Sequence, residues 1–347
     1  MQHFDVIVVG GGIVGLATAF QLLERQPACR LLIVEKEATI GVHQTGHNSG
    51  VLHSGIYYRP GSLRASNCRS GKQAMERFCA VHGIDYEICG KVIVAVDERE
   101  LSLLQTIYER GQANGVRCEL IDRERLLELE PHAAGIRAVH VPEAGIVNYR
   151  QVAGKLADLI TRAGGQITCR APVIGIKSQS RPVIIETTAG EFSSDFAVTC
   201  AGLHADRITR LSGQEPPAQI VPFRGEYYDI KPSAHHLCRN LIYPVPDPDF
   251  PFLGVHFTRT IEGKLECGPN AVLAFAREGY RWRNISPRDL CESLTYPGFL
   301  RLAAKHWRAG MAEMWRSLSK GAFVRALQRL VPEVRSDDLE PAPAGVR

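Results

Sequence analysis

The chain has 347 residues, more than one simple hydrophobic core accommodates, and this length suits two closely packed domains. Hydrophobic residues make up 45% and charged residues 22%, proportions that are ordinary for a soluble globular protein. The net charge of +4 is small, and the body of the chain has no basic run with interleaved aromatic residues, so we expect no nucleic-acid partner.

The ten cysteines are scattered singly, without a C-x-x-C pair. This distribution argues against a zinc site or a disulfide framework, so we expect no metal and a reducing compartment, the cytoplasm. A strand signal begins almost at the amino terminus, so we expect no signal peptide. The uncharged stretch 6–23 contains a glycine-rich turn and makes a poor membrane span, and we predict no transmembrane helix.

A β-α-β unit is predicted within the first 35 residues. Residues 5–9 are a β-branched run typical of a buried parallel strand. Residues 16–23 favour a helix, and residues 30–35 favour a second buried strand. This order of elements is typical of nucleotide-binding domains.

The turn between the first strand and the helix contains Gly10, Gly12 and Gly15 in the spacing G-x-G-x-x-G. These glycines allow a tight turn, a close approach of backbone amides to a pyrophosphate, and close packing of helix on strand. The helix N-terminus adds a partial positive charge. Glu35 ends the second strand, where a carboxylate binds ribose hydroxyls and disfavours a 2′-phosphate. The pattern predicts an FAD or NAD site, with a plain strand–helix turn as the alternative.

The later part of the chain gives coarser signals. The predicted elements are a strand at 91–96, a helix at 97–114, a helix at 148–163, strands at 166–168 and 173–178, and a hairpin of 183–187 and 192–200. Residues 215–254 are dense in Pro and Gly, which suits sheet edges and loops around a pocket.

Residues 41–58 form a second cluster, rich in Gly, Ser, Asn and His. Helix propensity is low and strand alternation is absent, so a loop is predicted. Such a loop is suited to wrapping a polar planar ligand with backbone and side-chain donors.

Several segments resemble the L-2-hydroxyglutarate dehydrogenase/oxidase family, within the D-amino-acid-oxidase-like FAD proteins. They are 43–58, 199–206, 221–227, 243–246, 252–258 and 266–273. The resemblance covers essentially the whole chain and implies FAD as the cofactor. It also implies an α/β fold with a discontinuous, Rossmann-like FAD-binding domain and a second α+β substrate domain on a mixed or antiparallel sheet.

The resemblance also implies a division of the chain. The FAD-binding domain would comprise 1–85, 145–215 and 331–347, and the substrate domain 86–144 and 216–330. The candidate FAD-binding residues are Gly10, Gly12, Gly15, Glu35, Lys36, Thr45, His47, Asn48, Ser49, Gly50, Val51, Ala201 and Gly202. Family members continue beyond the equivalent of residue 347 with a strand and a helix. Without these we expect an exposed sheet edge and a flavin site open on one side.

The family implies oxidation of L-2-hydroxyglutarate to 2-oxoglutarate by hydride transfer to flavin N5, with electrons passed to a quinone or oxygen. A neutral histidine suits removal of the hydroxyl proton. We predict His53 as the base and His256 as a substrate ligand, with a structural histidine as the alternative for each. His47 would hydrogen-bond within the flavin loop or, as in some related dehydrogenases, carry the flavin covalently.

A dicarboxylate substrate needs two anion contacts, and arginine offers the best fork geometry. We rank Arg59 and Arg259 first, ahead of Arg224, and add Tyr57 and Tyr243 as substrate-binding residues. A surface or structural role is the alternative for each of them.

Residues 299–330 carry seven basic residues and one acid, with Trp307 and Trp315 at helical spacing among apolar residues. Basic amphipathic helices with Trp can lie on anionic membranes. Together with the family's link to the quinone pool, this pattern predicts peripheral contact with the cytoplasmic face of the inner membrane. The alternative is a solvated helix packed on the substrate domain.

Three other interpretations stay open. An NAD-dependent dehydrogenase would explain the first β-α-β unit but not the loop at 43–58. An FAD-dependent amino-acid or glycine oxidase would share the fold. An inactive, truncated flavoprotein fragment would fit the missing carboxyl-terminal segment.

Overall fold

The structure is a computed structural model and describes residues 1–179, 181–247 and 254–347. Its α-helices are α1 (Ile13–Arg25), α2 (Leu63–His82), α3 (Leu101–Ala113), α4 (Arg123–Leu129), α5 (Tyr149–Arg162), α6 (Ala205–Leu211), α7 (Pro287–Thr295), α8 (Pro297–Leu318) and α9 (Lys320–Gln328). Its strands are β1 (Gln2–Val9), β2 (Leu31–Val34), β3 (Val51–Leu52), β4 (Tyr86–Glu87), β5 (Lys91–Ala95), β6 (Glu119–Asp122), β7 (Arg137–Val141), β8 (Gly145–Val147), β9 (Gln166–Thr168), β10 (Val173–Lys177), β11 (Val183–Thr187), β12 (Gly190–Thr199), β13 (Phe223–Ile230), β14 (Leu241–Pro244), β15 (His256–Arg259), β16 (Leu265–Leu273), β17 (Leu339–Pro341) and β18 (Gly345–Val346). Phe252 and Leu253, which begin one of the matched segments, lie outside the described residues.

A six-stranded sheet in the described part of the chain contains the predicted β-α-β unit. Its strand order is β10-β11-β12-β1-β2-β9, and β1 is parallel to both of its neighbours. Ile7, Val8 and all of β2 are buried, and helices α1 and α5 cover one face of the sheet. Strands β11 and β12 form the predicted hairpin. The predicted Rossmann-like domain is confirmed.

A second, mixed sheet has nine strands among the described residues. Its order is β17-β13-β16-β15-β14-β5-β7-β6, with β18 also paired with β13. Neighbouring strands are antiparallel except β14 and β5, which are parallel. Phe323 and Leu327 of α9 pack beside Phe257 in the core on one face of this sheet. The mixed sheet predicted for the substrate domain is confirmed.

Three short strands, β3, β8 and β4, form a separate sheet that the sequence did not predict. Val51 and Leu52 pair with Ile146 and Gly145 of β8. Strands of two or three residues are too short to display an alternating pattern. Strand β3 of this sheet therefore lies within the predicted loop 41–58, directly before His53.

Two predicted helices have different limits in the structure. Helix α3 begins at Leu101, because the Asp97 side chain caps a short 3-10 turn at Glu98–Glu100. The basic stretch 299–330 is divided between α8 and α9 at Ser319, whose side chain caps α9. Within the described ranges, no helix combines the length and the apolar character needed to cross a membrane.

The last strands of the chain pair with the larger sheet. Strands β17 and β18 are both antiparallel to β13, which belongs to the second unit. The predicted domain boundaries, including the assignment of residues 331–347 to the FAD-binding domain, stay predictions.

Candidate active site

The turn between β1 and α1 has the backbone that its glycine spacing predicts. Gly10 has a φ of +110°, which L side chains rarely adopt. A Cβ atom at Gly15 would overlap the carbonyl oxygen of Gly10, so only glycine allows α1 to approach the turn this closely. The hydroxyl of Thr45 accepts a hydrogen bond from the amide of Ile13 at 2.9 Å. This bond ties the predicted ligand loop to the N-terminus of α1.

A cavity of about 1090 Å³ lies at the carboxyl ends of β1 and β2. Ligands of open α/β sheets bind at this position, and the volume lies just above the range of about 300–1,000 Å³ that is typical of small-molecule sites. The predicted cofactor residues that line the cavity are Gly10, Gly12, Glu35, Lys36, Thr45, Asn48, Ser49, Val51, Ala201 and Gly202. Gly15, His47 and Gly50 are not among its described lining residues.

Glu35 lies at the end of β2 and is almost completely buried. Its two carboxylate oxygens accept hydrogen bonds from the amides of Gly11 at 2.6 Å and Glu37 at 2.9 Å. These bonds fix the carboxylate at the cavity wall. A carboxylate has about four acceptor positions, so capacity remains for sugar hydroxyls.

Asn48 organises the loop that follows. Its amide nitrogen donates to the carbonyl oxygens of Gln44 at 3.0 Å and Thr45 at 2.7 Å, and its amide oxygen accepts from the backbone of Gly50 at 2.9 Å. Gly50 has a φ of +67°, which glycine adopts without strain. Asn48 and Gly50 therefore hold the conformation of the loop, and Asn48 also lines the cavity.

A polar network closes one side of the cavity, and sequence reasoning did not predict it as a unit. Lys36 forms an ion pair with Glu278 at 2.5 Å and a second one with Glu37. Nε2 of His204 lies 2.9 Å from the Glu278 carboxylate. That hydrogen bond and the charge of Lys36 lower the pKa of Glu278 to about 2. Glu278 lies far from Lys36 in the sequence, so no local pattern could reveal the contact.

His47 faces a second cavity of about 990 Å³. Its Nδ1 donates to the carbonyl oxygen of Ala344 at 2.9 Å, and its ring stacks on Tyr280 with a centroid distance of 4.4 Å. Burial lowers the pKa of His47. These contacts hold the ring against the carboxyl-terminal strands, and the predicted flavin contact of His47 stays a prediction.

His53 directly follows β3, and its side chain is exposed to the first cavity. Burial, together with the positive charges of Lys91 and His256, lowers the pKa of His53 to about 3. The imidazole is therefore neutral at physiological pH and can accept a proton.

His256 begins β15 and is buried. Its Nδ1 lies 2.9 Å from the carbonyl oxygen of Gly254, which can only accept, so Nδ1 carries the proton and Nε2 is an acceptor. Burial lowers the pKa of His256 to about 4. The ring stacks on Tyr243 of the neighbouring strand with a centroid distance of 3.9 Å.

Lys91 lies beside these histidines and was missed by sequence reasoning. It begins β5, and the residue is only 2% exposed. Its ammonium group lies 4.6 Å from the ring centroid of Tyr57 and 4.8 Å from that of Tyr243. Burial lowers the pKa of Lys91 to about 7. The one signal in the sequence is a lysine heading the otherwise apolar strand KVIVA.

The arginines predicted to bind the substrate do not join the group formed by His53, His256 and Lys91. Arg59 is exposed and is not among the described residues that line either cavity. Arg259 is paired with Glu87 at 2.5 Å. Arg224 is buried and paired with Glu226 at 2.8 Å. By contrast, the structure does bring together the predicted residues His53, His256, Tyr57 and Tyr243.

Comparison with known proteins identifies the family. The profile of the family described as FAD dependent oxidoreductase matches residues 5–347. An L-2-hydroxyglutarate dehydrogenase of Indibacter alkaliphilus is 47% identical over 348 residues, which cover 100% of this chain and 87% of the relative. The chain belongs to the L-2-hydroxyglutarate dehydrogenase family of FAD-dependent oxidoreductases.

Other members of this dehydrogenase family are similar at comparable levels. The L-2-hydroxyglutarate dehydrogenase of Escherichia coli is 44% identical over 345 residues, covering 99% of this chain and 82% of the relative. The human mitochondrial enzyme of that name is 46% identical over 359 residues, covering 100% of this chain and 78% of the relative. The resemblance seen in the sequence is therefore confirmed.

Solved structures of the wider FAD family share the fold. The L-alpha-glycerophosphate oxidase of Mycoplasma pneumoniae, with FAD bound, superimposes with a TM-score of 0.82 at 22% identity, covering 100% of this chain and 83% of that one. Glycine oxidase from Geobacillus kaustophilus superimposes with a TM-score of 0.75 at 21% identity, covering 100% of this chain and 83% of that one. At these identities the likeness establishes the fold alone.

FAD is the cofactor of this family, and the residues of the first cavity suit it. Gly12 and the N-terminus of α1 present backbone amides without side chains in the way, as a pyrophosphate requires. Glu35 would hold the ribose, and the loop at 41–51 would contact the remaining part of the cofactor. When bound, FAD supplies the hydride-accepting chemistry of the family.

Proposed function

We propose that this dehydrogenase-family protein oxidises L-2-hydroxyglutarate to 2-oxoglutarate. The observation that carries the proposal is 44–47% identity to L-2-hydroxyglutarate dehydrogenases over at least 99% of the chain. A cluster of His53, His256, Lys91, Tyr57 and Tyr243, of which His53 lines the first cavity, supports it. This cluster provides a proton acceptor, a cation and two phenol groups, which an anionic hydroxy acid needs.

Oxidation of a 2-hydroxy acid removes a hydride from C2 and a proton from the hydroxyl group. His53 is the proposed base, because its ring is neutral and open to the cofactor cavity. His256 is the proposed substrate ligand, because its ring stacks on Tyr243 in the same group of side chains. The proton ends on His53 while the C2–O bond becomes a carbonyl.

A dye-linked assay of the FAD-loaded protein tests this function. We expect turnover with L-2-hydroxyglutarate and none with glycine, sarcosine or D-amino acids. His53→Gln should lower kcat by about 10²- to 10⁴-fold, the usual loss when a general base is removed. His236→Gln, at an exposed histidine, is the matched control and should retain full activity. Turnover of an amino acid instead of the hydroxy acid would contradict the proposal.

We also propose that the protein passes electrons to a quinone at an anionic membrane surface. The support is one face of α8, where Trp307, Met311, Trp315 and Leu318 follow at helical spacing and are between 59% and 70% exposed. Three basic residues of the same helix are exposed as well, two before its kink at His306 and one after it: Arg301, Lys305 and Arg308. An exposed apolar face with basic residues on the same helix complements anionic lipid.

A further inference from the structure

We propose that Lys91, Tyr57 and Tyr243 form a subsite that binds a carboxylate group of the substrate. The subsite rests on the proposed function, and in it Lys91 supplies the cationic contact to the acid.

Lys91 carries a buried amino group without an acidic partner. Among the residues that the structure describes, no carboxylate forms an ion pair with Lys91, although the residue is 2% exposed. Elsewhere in the chain a buried lysine does have such a partner: Lys72 is paired with Glu76 one helical turn away. Protonating a buried amine without a partner is costly, and an anionic ligand at this position would remove that cost.

Two tyrosine hydroxyls lie beside this amine. Within the described ranges, the hydroxyl group of Tyr57 is buried and has no hydrogen-bond partner. The hydroxyl group of Tyr243 is buried as well and lies within hydrogen-bonding reach of Thr258. A buried hydroxyl without a partner carries a desolvation penalty, which a ligand oxygen would remove. Burial raises the pKa of both phenols, so they stay protonated and act as donors. One ammonium group and two phenol hydroxyls match the acceptor oxygens of a carboxylate.

The subsite lies beside the side chains that are proposed to act on the hydroxyl carbon of the substrate. Lys91 begins β5, and Tyr243 on the adjacent strand β14 is in register with Ile93. Residues two apart on a strand point to the same face, so Lys91 and Tyr243 share a face of the sheet. Tyr243 stacks on His256, the proposed substrate partner. A carboxylate held at Lys91 therefore lies next to the groups proposed to handle the hydroxyl carbon.

Binding of 2-oxoglutarate to the FAD-loaded protein, measured by calorimetry, tests the subsite without any turnover. We expect Lys91→Met to weaken binding by about 10- to 150-fold, the loss typical of a charge-assisted hydrogen bond. Lys91→Arg should recover most of the affinity because it keeps the charge. Lys72→Met is the matched control, a buried lysine outside the cluster, and should leave the dissociation constant unchanged. Lys91→Met should also raise the melting temperature, because it removes an uncompensated buried charge.

Equal affinity of wild type and Lys91→Met would overturn the subsite. A weaker Lys91→Met variant that melts at a lower temperature and is not restored by Lys91→Arg would overturn it as well, since that combination indicates a structural lysine. The proposed function fails separately, if the wild-type protein does not oxidise L-2-hydroxyglutarate. Lys91-dependent binding of 2-oxoglutarate can be observed in either case.

Discussion

Lys91, His53 and His256 share one electrostatic environment. Lys91 and His256 are buried, His53 is exposed to the first cavity, and the charge of Lys91 acts unfavourably on both imidazolium forms. The pKa values of about 3 and 4 keep both rings neutral, while the pKa of about 7 leaves Lys91 able to gain or lose a proton near neutrality. A bound carboxylate would oppose this repulsion, favour protonated Lys91 and make His53 more basic at the moment it must accept a proton.

The affinity for 2-oxoglutarate should therefore depend on pH. Below pH 7 Lys91 is protonated and the dissociation constant should be flat; above pH 7 it should rise by up to tenfold per unit as Lys91 loses its proton. Lys91→Arg should remove this rise, since arginine keeps its charge. Calorimetric titrations from pH 6 to 9 measure both curves. Parallel curves for the two proteins would show that another group titrates.

The other groups around Lys91 do not titrate in that window. Burial raises the pKa of Tyr57, Tyr243 and Cys68 above their ordinary values, and the two histidines are already neutral. Any change in affinity between pH 7 and 9 is thus expected to report on Lys91.

Sequence patterns predicted candidate site residues where a motif contains them. His53 and Tyr57 lie in one loop, and Tyr243 and His256 lie in two matched segments; the structure brings them together, and their roles stay predictions. Lys91 was missed because a lysine at the start of a strand usually reaches solvent. The pairing of Arg259 with Glu87 depends on the fold, so no local pattern could reveal it.

Helix α8 has one face fixed on the larger sheet and one face that is exposed. Glu313 on its inner face accepts a hydrogen bond from the amide of Ala271 in β16 at 2.8 Å, which fixes the helix on the sheet. Trp307 and Trp315 lie on the outer face and are 60% and 59% exposed. Tryptophans at this exposure are unusual on a surface without a partner.

We predict that the wild-type protein co-sediments with vesicles containing anionic lipid and less with zwitterionic vesicles, because the helix supplies both apolar and cationic contacts. Replacing both outer tryptophans, in Trp307→Ser/Trp315→Ser, should reduce binding at least tenfold. Leu63→Ser/Val81→Ser, at exposed apolar residues of α2, is the matched control and should bind as wild type does. A wild-type protein that stays in the supernatant with anionic vesicles would refute the membrane contact.

The elements that the sequence predicted are those with long, regular patterns. Strands β1 and β2 with helix α1, helix α5 and the β11–β12 hairpin all lie where periodicity and turn residues placed them. The short strands β3, β4 and β8 have too few residues to carry a period. The pairing of β17 and β18 with β13 is set by contacts over a hundred residues apart, which no local pattern encodes.

At the scale of the whole molecule, the two sheets have separate tasks. The six-stranded sheet provides the glycine turn, Glu35 and the cofactor cavity. The larger sheet provides Lys91, Tyr243 and His256, and His53 directly follows β3 of the three-stranded sheet. The proposed substrate site therefore combines residues from separate stretches of the chain.

Anaerobic reduction of the protein-bound flavin tests whether the FAD-loaded protein oxidises L-2-hydroxyglutarate. The reaction requires cofactor, substrate and base together, and it needs no electron acceptor. With FAD bound and oxygen removed, L-2-hydroxyglutarate should bleach the oxidised-flavin absorbance, while its D-enantiomer and glycine should leave the spectrum unchanged. A flavin that stays oxidised with L-2-hydroxyglutarate but is bleached by an amino acid would contradict the account.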